Sequence, residues 1–531
     1  MDVTNRLFYG DNLHVLRAHV ADESIDLIYL DPPFNSNANY NVLFRSPTGE
    51  QSNAQIEAFE DSWHWNDAAE EAYDQLARCG NVRAFELLNA MRAFLGENDM
   101  MAYLSMMAIR LVELHRVLKP SGSLYLHCDP TASHYLKLLL DAVFGGAGYQ
   151  NEITWKRTSA HSDGGRYGRN TDTILFYTKS SRHYWQQPYS PYDESYRERF
   201  RFADADGRRW MDDNLTAKGL SGGGYAYAYK GAESYWRMPL STMERLDREG
   251  RLHFTRNGGI RLKRYLDEAK GMPVQALWAD IPAINSQAQE RLGYPTQKPV
   301  ALLERIIAAS CPEDGIVLDP FCGCGTAVHA AQKLGRRWAG IDITHLAISL
   351  IEKRMRAAFP GISMSVEGTP RDLAAAEDLA TRDKYQFQWW VVAVLDAMPF
   401  GGRKKGADGG IDGILYFRPE GRKVEKALVS VKGGANVGVG MIRDLHSAMM
   451  RDKAPIGVFV TRIPPTSAME REAAAVGRFH STASARSYAR LQIITVEQLF
   501  QGKRPDLPFI DPHAAFRMAP REVQARQGEL I

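Results

Sequence analysis

Short apolar runs alternate with amphipathic stretches along the first 180 residues, a pattern typical of a layered α/β domain. The run Ile25–Leu30 predicts a buried strand, and this strand leads into the segment Asp31–Phe34. The periodicity that follows predicts, in chain order, a helix over 99–118, a strand over 123–127, a helix over 134–144, and strands over 152–155 and 173–177. We expect the last two strands to form an antiparallel pair at the edge of a sheet.

The pattern changes between about Ser180 and Gln289, where strand–helix alternation fades and aromatic residues mix with arginines. Residues 156–290 contain 22 Lys and Arg against 17 Asp and Glu, a surplus that the rest of the chain offsets. Two interpretations of this insert stay open. It is either a loop-rich domain with a solvated charged face, or a surface that grips DNA phosphates and stacks on bases.

Alternation resumes near Tyr294 and predicts the second half of the layered domain. Its elements are a helix over 300–310, a strand over 315–318, a turn over 319–326, a helix reaching 334 and a strand over 337–341. A weakly patterned linker over about 361–382 follows. The remaining α/β stretch begins with a helical run over 387–398 and continues with strands over 413–417 and 427–431, which predicts a separate domain.

Length and composition set limits on these assignments. A chain of 531 residues is too long for one core and suggests roughly three domains. With 44% hydrophobic and 24% charged residues, the composition is ordinary for a globular protein. The net charge of +2 gives no argument for a nucleic-acid partner, so any basic surface must be local.

The cysteines are few and odd in number, which fits a reducing cytoplasm better than a disulfide framework; they are Cys79, Cys128, Cys311, Cys322 and Cys324. Because no second Cys or His pair accompanies Cys322 and Cys324, we expect no zinc site there. The N-terminus lacks the basic and apolar regions of a signal peptide, and no apolar run approaches the roughly 20 residues needed to cross a bilayer. We therefore expect a cytoplasmic protein without a membrane segment.

The first candidate chemistry is the segment Val317–Thr326, in which a buried strand runs into a turn with two glycines and then opens a helix. In doubly wound sheets such a turn lets the backbone approach a nucleotide-like ligand at the carboxyl end of the strand. The next strand ends in Asp342, whose carboxylate can accept hydrogen bonds from ribose hydroxyls. The pattern is not G-x-G-x-x-G, so a dinucleotide is disfavoured; taken alone, the turn has a purely structural explanation that is as good.

The second candidate is Asp31–Phe34, the sequence Asp-Pro-Pro-Phe at the end of a buried strand. The prolines fix the backbone and remove two N–H donors, which leaves carbonyl acceptors. The Asp31 carboxylate and the Pro32 carbonyl could accept both hydrogens of an exocyclic amino group, and Phe34 could stack on a base extruded from a duplex. In isolation, a rigid strand-to-loop turn is the better interpretation.

Together the two loops resemble the signature of amino-group DNA methyltransferases, with its motifs (D/N/S)-P-P-(Y/F/W) and F-x-G-x-G. The catalytic motif comes first here, as in the β arrangement, a circularly permuted order. Three further stretches are similar to family motifs: Tyr9–Asn12, with its acid near the adenosyl group, Ser123–Asp129, and Tyr294–Pro299, whose Thr and Lys approach the methionine end. The resemblance implies a set of residues that bind S-adenosylmethionine: Asp11, Thr296, Lys298, Asp319, Phe321, Gly323, Gly325, Thr326 and Asp342.

The resemblance also implies a fold. A doubly wound, Rossmann-like methyltransferase sheet would be formed by residues 1–180 and 291–360, with the insert 181–290 as the target recognition domain. Residues 361–382 would be a linker and 383–510 a C-terminal α/β domain.

The implied reaction is direct methyl transfer to an amine, with Asp31, Pro32, Pro33 and Phe34 as the catalytic segment. Catalysis would consist mainly of positioning and of acceptors that stabilise the charge developing on nitrogen. A 5-methylcytosine enzyme needs a Pro-Cys nucleophile, and this dipeptide does not occur in the sequence. Asp31 favours N6 of adenine, because N4-cytosine enzymes of the family more often have Ser in that position; N4-cytosine is the alternative.

The C-terminal stretch places Asp412 before one strand and Ser430 and Lys432 on the next. This arrangement resembles the Mrr-type branch of PD-(D/E)xK nucleases, in which acidic residues hold a divalent metal and Lys orients the attacking water. Ser430 departs from that pattern, because the family has Glu or Gln there and a hydroxyl is a poorer metal ligand. Asp412 is thus the candidate ligand for Mg²⁺, and a restriction enzyme that also cleaves DNA is a second hypothesis. Double-stranded DNA is the expected partner, with monomer and homodimer both open.

Overall fold

The computed structural model describes residues 5–33, 65–159, 164–217, 224–285, 288, 290–292, 297–400, 410–420, 424–482 and 484–508, together with the backbone of 39–45 and 51–60. Within these ranges no helix has the length and apolar character needed to span a membrane. The chain forms two compact units, one made by residues 187–275 and the other by the residues before and after them.

The larger unit begins with a strand–helix alternation. Its elements up to residue 178 are β1 (Asn5–Tyr9), α1 (Asn12–His19), β2 (Ile25–Leu30), β3 (Asn39–Arg45), β4 (Gln51–Glu60), α2 (Asp67–Arg78), α3 (Val82–Leu95), α4 (Asp99–Val117), β5 (Leu118–Cys128), α5 (Ser133–Phe144), β6 (Tyr149–Lys156) and β7 (Thr171–Thr178). Local sequence sets the helix starts, because Asp11, Asn66, Asn81 and Asn98 each accept hydrogen bonds from first-turn N–H groups.

The compact unit 187–275 contains short strands and helices: β8 (Tyr189–Ser190), α6 (Glu194–Arg197), β9 (Phe202–Ala203), β10 (Arg209–Asn214), β11 (Tyr225–Tyr229), β12 (Ala232–Trp236), α7 (Leu240–Arg248), β13 (Leu252–Phe254), β14 (Ile260–Tyr265) and β15 (Met272–Pro273). A four-stranded antiparallel sheet, β13-β14-β10-β9, lies beside the hairpin β11–β12. Leu215, Trp236 and Met243 are central to its small core. The insert predicted over 181–290 therefore contains a unit with its own core.

The larger unit then resumes with β16 (Leu277–Trp278), α8 (Val300–Ser310), β17 (Ile316–Asp319), α9 (Thr326–Lys333), β18 (Arg337–Asp342), α10 (His345–Ala358) and β19 (Met364–Glu367). The described strands form a sheet in the order β16-β6-β7-β5-β2-β17-β18-β1-β19. From β5 to β19 neighbouring strands are parallel, whereas β7 is antiparallel to β5 and to β6. The antiparallel pair expected near the edge is confirmed, with β16 added outside it.

This sheet is the predicted doubly wound, Rossmann-like sheet. Its strand order changes direction at β17, which has β2 on one side and β18 on the other. On one face α4 is buried among neighbouring helices, and every residue from Met101 to Ile109 is inaccessible to solvent or nearly so. Burial on this scale fixes the sheet as a rigid base for the loops at its carboxyl edge.

The C-terminal part contains α11 (Leu373–Arg382), α12 (Lys384–Val394), β20 (Met398–Pro399), β21 (Gly413–Phe417), β22 (Glu425–Lys432), α13 (Val439–Arg451), β23 (Ile456–Thr461), α14 (Ser467–Ala475), β24 (Arg478–Ser481), β25 (Arg486–Ala489), β26 (Leu491–Thr495) and α15 (Val496–Phe500). Its sheet has the order β20-β21-β22-β23-β26, with a hydrophobic core on each face. The helical run expected over 387–398 ends earlier, because Met398 and Pro399 pair with β21.

The stretch 361–382 is not the linker that its weak pattern suggested. Residues Met364–Glu367 extend the large sheet as β19, where Arg6 makes a bidentate ion pair with Glu367 at 2.9 Å for both hydrogen bonds. Helix α11 packs into the C-terminal core through Ala376, Leu379 and Ala380. A four-residue strand and a helix of small alanines give too short a periodic signal to be recognised from sequence.

Leu379→Ala tests the place of α11 in the C-terminal core. Leu379 is 2% exposed, so its truncation is expected to lower the free energy of unfolding of the C-terminal core by about 2–5 kcal/mol. The matched control is Asp378→Ala on the same helix, whose side chain is 70% exposed, with an expected cost of at most about 0.5 kcal/mol. Urea denaturation followed by tryptophan fluorescence measures both. If the two variants were equally stable, α11 would contribute nothing to the C-terminal core and 373–382 would be a linker.

Candidate functional site

The two loops singled out in the sequence lie side by side at the carboxyl edge of the sheet. Strands β2 and β17 are parallel neighbours, with Leu318 opposite Ile28. Asp31 follows the end of β2, and Pro320 follows the end of β17. Because a sheet of this type opens a crevice where its strand order changes direction, the loops face a natural binding site. Phe34 lies outside the described residues.

The turn after β17 is held by hydrogen bonds of its own. The Asp319 carboxylate accepts from Phe321 N at 3.1 Å, and the N–H of Gly325 donates to the Cys322 carbonyl at 2.7 Å. Gly323 and Gly325 have φ values of +53° and +77°, a region that glycine adopts at little cost. Asp319 and Thr326 are both buried, and Thr326 begins α9. Both residues therefore hold the turn in shape.

Gly325 is required by packing as well as by its φ value. A Cβ atom there would lie 2.9 Å from Cγ1 and 3.1 Å from Cγ2 of Ile351 on α10. We expected the glycine to leave room for a ligand. The position of Ile351 shows that the missing side chain also lets α10 approach the turn.

Asp342 connects this turn with the next strand. Its Oδ2 accepts from Gly323 N at 2.9 Å, and its Oδ1 accepts from both the N–H and the hydroxyl of Thr344, each at 2.9 Å. Burial raises the pKa of this carboxyl to about 6, although the hydrogen bonds from Thr344 and Gly323 lower it. An acid held by three donors has a fixed orientation, and a carboxylate still has acceptor capacity for further hydroxyls.

A cleft of about 430 Å³, counting open solvent at its mouth, lies between the loops. Its walls come from the turn after β1, the start of α1, the segment after β2, α4, the turn after β17, and the end of β18 with the turn that follows it. The lining residues are Gly10, Asp11, Asn12, Pro33, Met106, Arg110, Pro320, Phe321, Asp342 and Ile343. The structure thus brings Asp11, Phe321 and Asp342 together, as expected, and places Pro33 in the same wall. Thr296 lies outside the described residues.

Arg110 was not identified from the sequence. It donates to Asp11 Oδ2 at 2.6 Å and to Asn12 Oδ1 at 2.5 Å, while Asn12 donates to the Pro320 carbonyl at 2.8 Å. Burial lowers the pKa of Arg110, and the charge of Asp11 opposes this shift. This chain of contacts ties α1, α4 and the turn after β17 into one wall. The sequence feature that could have identified it is its position as a single arginine within the apolar run of α4.

Lys298, expected at the cofactor, contacts the catalytic loop. Its ammonium lies 2.6 Å from Asp31 Oδ2, and the two side chains are only 11% and 18% exposed. A poorly solvated ion pair of this kind fixes the orientation of the carboxylate more firmly than a surface pair does. Lys298 therefore belongs to the same constellation as Asp31.

The thiols of Cys322 and Cys324 are poor candidates for nucleophiles. Both side chains are buried, and burial raises the pKa of each thiol, most strongly for Cys322.

The C-terminal candidates also lie together. Asp412 Oδ2 accepts from Val431 N at 2.7 Å and is 3.9 Å from Lys432 Nζ. Ser430 is buried, and its hydroxyl donates to the Gly410 carbonyl at 2.8 Å. Among the described residues no group of three His, Cys, Asp or Glu side chains could hold a metal ion. One carboxylate and a serine whose hydroxyl is committed to a carbonyl are a weak donor set for Mg²⁺, whose other positions water and substrate phosphates would have to fill.

In the unit 187–275, several of the arginines noted in the sequence are paired with local acids. Arg208 pairs with Asp267 and Glu268, each at 2.8 Å, and Arg264 pairs with Asp213 at 2.6 Å. Arg199 lies over the ring of Tyr196, 4.7 Å from its centroid. Cations combined with aromatic faces fit a solvated charged face and a DNA-binding surface equally well, so both interpretations of the insert stay open.

Comparison with protein families gives the decisive observation. Residues 25–353, well over half of the chain, match the N6/N4 methyltransferase family, described as DNA methylase. The chain belongs to this DNA methylase family. Residues 379–499 of the methylase also match the Mrr catalytic family, described as restriction endonuclease. The predicted fold and the Mrr-like C-terminal domain are thereby confirmed.

Curated relatives cover part of the methylase. The Mod subunit of the type III restriction-modification enzyme StyLTI from Salmonella typhimurium is 29% identical over 364 residues, which are 63% of this chain and 51% of the relative. The type II methyltransferase M.EcaI from Enterobacter cloacae is 30% identical over 259 residues, or 48% of this chain and 57% of the relative. The methylase thus spans about half the length of these relatives.

Among solved structures, a Thermus thermophilus protein described as a DNA modification methylase is similar to this chain. The two share 17% identity with a TM-score of 0.33, over 68% of this chain and 99% of the other. At that level the likeness adds nothing to the fold already described.

Gly325→Ala should destabilise the methylase more than Gly335→Ala does. The two glycines have similar φ values of +77° and +72°, so the backbone strain of an alanine is similar, but a Cβ at Gly335 meets nothing within 4 Å. We expect about 1–3 kcal/mol of additional destabilisation for Gly325→Ala from the contact with Ile351. Thermal unfolding of both variants measures the difference. Equal melting temperatures would mean that α10 moves aside without cost.

Proposed function

We propose that this chain is a DNA methyltransferase that transfers the methyl group of S-adenosylmethionine to N6 of an adenine flipped out of duplex DNA. The observation that carries the proposal is the shared wall: Pro33 of the catalytic segment lines the same cleft as Asp11, Phe321 and Asp342. A donor bound in this cleft and an amine held at Asp31 would therefore be neighbours. Proximity of this kind supplies a large part of the rate enhancement in bimolecular transfer.

The residues of the cleft suit S-adenosylmethionine. Asp342 offers carboxylate oxygens for ribose hydroxyls, and Phe321 and Ile343 offer apolar surface for the adenine ring. Asp11 and Arg110 supply charged groups at the wall formed by α1 and α4. The bound cofactor would supply an electrophilic methyl group on a sulfonium.

The chain's own residues would position the amine. Asp31 and the Pro32 carbonyl accept its two hydrogens, which directs the nitrogen lone pair towards the methyl group. Lys298 holds one oxygen of Asp31 in place, so that the carboxylate can accept from the amine and stabilise positive charge developing on nitrogen. The proton released by the amine can then pass to Asp31. Phe34 would stack on the flipped base.

Adenine is favoured over cytosine by Asp31 in the first position of the catalytic motif, and N4 of cytosine is the alternative. We further propose that the unit 187–275 reads the target sequence and that the protein acts in restriction-modification, the kind of system to which the StyLTI Mod subunit belongs. We do not propose cleavage by the C-terminal domain, because Ser430 supplies no second carboxylate beside Asp412 and the described residues contain no cluster of three metal-binding side chains. Mass spectrometry of nucleosides from DNA methylated by this chain distinguishes N6-methyladenine from N4-methylcytosine.

Asp31→Ala should abolish methyl transfer and leave S-adenosylmethionine affinity within a few-fold, because Asp31 is assigned to the amine. Transfer of tritiated methyl groups to DNA and calorimetry measure the two effects. Since Asp31→Ala leaves the ammonium of Lys298 in a poorly solvated place, the double variant Asp31→Ala/Lys298→Met is the control for folding. Turnover above roughly a tenth of wild type in either variant would contradict the assignment.

Cofactor affinity should fall as the pH is lowered through about 6, the value to which burial raises the pKa of Asp342. Hydroxyl groups donate to the carboxylate form, so binding is favoured above this pKa and weakened below it. Asp319 is a second buried carboxyl whose pKa is raised, by burial first of all. Calorimetry with S-adenosylmethionine across this pH range, on wild type and on Asp342→Asn, separates the effect of Asp342 on the affinity from that of Asp319. A wild-type affinity that does not change with pH would contradict the role of Asp342.

A further inference from the structure

The hydrogen bonds of Arg110 are all made to residues in the wall of the cleft. The side chain of Arg110 is 12% exposed. Its Nε donates to Asn12 Oδ1 at 2.5 Å, its Nη2 donates to Asp11 Oδ2 at 2.6 Å, and its Nη1 donates to the Met106 carbonyl at 3.1 Å. Arg110 and these partners line the cleft. Because the bond to Met106 holds the guanidinium against its own helix, the other two bonds fix the turn after β1 relative to α4.

Asn12 transmits the position of Arg110 to the turn after β17. Its Oδ1 accepts from Arg110, so its amide nitrogen faces the Pro320 carbonyl, to which it donates at 2.8 Å. With the amide turned over, a donor would face a donor at Arg110 and an acceptor would face an acceptor at Pro320. Asn12 is buried, so water does not replace either partner. Arg110 therefore selects the amide orientation that holds the turn beginning at Pro320.

Asp11 is held from two sides. Its Oδ1 accepts from the backbone N–H groups of Leu13 at 3.0 Å and His14 at 3.2 Å, whereas its Oδ2 accepts from Arg110. A carboxylate oxygen can accept more than one hydrogen bond, so Oδ2 keeps acceptor capacity for a donor in the cleft. The side chain is 44% exposed and lines the cleft. Arg110 thus orients a carboxylate that a ligand can reach.

The packing of α4 does not require a cation at position 110. The adjacent Ile109 and Leu111 are fully buried, and burial of the guanidinium opposes its charged form, which lowers the pKa of Arg110. Replacement of buried ionic groups by apolar residues of similar volume is often neutral or stabilising in proteins. An arginine here is therefore better explained by the groups that it holds in the cleft than by the stability of the helix.

We propose that Arg110 is a positioning residue for cofactor binding, which holds the Asp11 carboxylate and, through Asn12, the Pro320 carbonyl in the arrangement that binds S-adenosylmethionine. The inference rests on the proposed function, because it takes S-adenosylmethionine as the ligand of the cleft. Arg110 acts through its neighbours, and no bond is made or broken. A preorganised wall lowers the cost of ordering on binding, so its loss weakens affinity and leaves the transfer step at Asp31 unchanged.

The test is the Kd for S-adenosylmethionine, measured by calorimetry, together with KM and kcat for methyl transfer to DNA. Arg110→Met keeps an unbranched apolar side chain and removes the hydrogen bonds to Asn12, Asp11 and Met106. We expect Kd and KM for S-adenosylmethionine to rise about tenfold, the equivalent of one weakened hydrogen bond to a charged group, with kcat within about threefold of wild type. Arg110→Lys keeps the charge but lacks the planar fork that serves two acceptors, so we expect a smaller rise, of about threefold.

Asn12→Asp tests the link to Pro320 without changing Arg110. It keeps the size of the side chain and an acceptor for Arg110, but it places an oxygen opposite the Pro320 carbonyl in place of a donor. We expect Kd for S-adenosylmethionine to rise about tenfold although the pairing with Arg110 is retained. In the double variant Arg110→Met/Asn12→Asp the rise should be smaller than the product of the single effects, because both changes break the same link.

Arg116→Met is the matched control. Arg116 lies on the same helix and also ties α4 to α1, since it donates to the Leu16 carbonyl at 2.8 Å and to the Val20 carbonyl at 3.2 Å. Neither partner lines the cleft. We expect the melting temperature of this variant to fall, with Kd and KM for S-adenosylmethionine within about twofold of wild type.

The outcomes separate the two proposals. If wild type binds no S-adenosylmethionine or transfers no methyl group to DNA, the proposed function fails. If wild type is active, the positioning role is overturned by an unchanged Kd in folded Arg110→Met, by a loss confined to kcat, or by an Arg116→Met variant that binds as weakly as Arg110→Met. Melting temperature reports folding for every variant. If Arg110→Met does not fold, Arg110→Lys and Asn12→Asp decide, and an unchanged Kd in both overturns the role.

Discussion

The parallel pairing of β2 with β17 is the constraint on which the candidate site depends. These strands are about 290 residues apart in the sequence, and their hydrogen bonding places Asp31 and its prolines next to the glycine turn after β17. Neighbouring strands lie about 4.8 Å apart, so two loops that leave adjacent strands at the same edge must be close. The sheet therefore sets the positions of the two loops. Their details are fixed by the ion pair of Asp31 with Lys298 and by the hydrogen bond from Asn12 to the Pro320 carbonyl.

The strands and helices of the sheet could be predicted from sequence because their periodicity is strong. Strand β2 has the predicted bounds, and α4 and α8 begin where expected. The pairing of β2 with β17 was not predicted, because no local pattern encodes which strands of a sheet are neighbours. Arg110 was missed for the same reason: its partners Asp11 and Asn12 lie on another element, and only the folded chain brings them together.

The explanation for Gly325 shows a different limit of sequence analysis. A glycine in a cofactor turn is readily attributed to a ligand, yet the space beside it is occupied by Ile351. Likewise Ser430 was understood as a weakened metal ligand, whereas its hydroxyl fastens the backbone at Gly410. In both cases the residue type marked a position with a special role, but the structural reason for that role followed only from the neighbouring residues.

The start of α10 has a consequence for how the two enzyme-like parts of the chain could have become joined. This helix begins three residues after Asp342, and the N–H of His345 donates to the side chain of Gln386 on α12, at 3.4 Å. A helix leaves its first N–H groups without partners of its own, so α12 supplies part of the capping of α10. Lys353 on α10 also pairs with Asp396, just beyond α12, at 2.6 Å. The Mrr-like domain is therefore attached to the larger sheet through a shared helix end as well as through the peptide chain. Replacing it by an unrelated domain would expose a backbone donor three residues after Asp342.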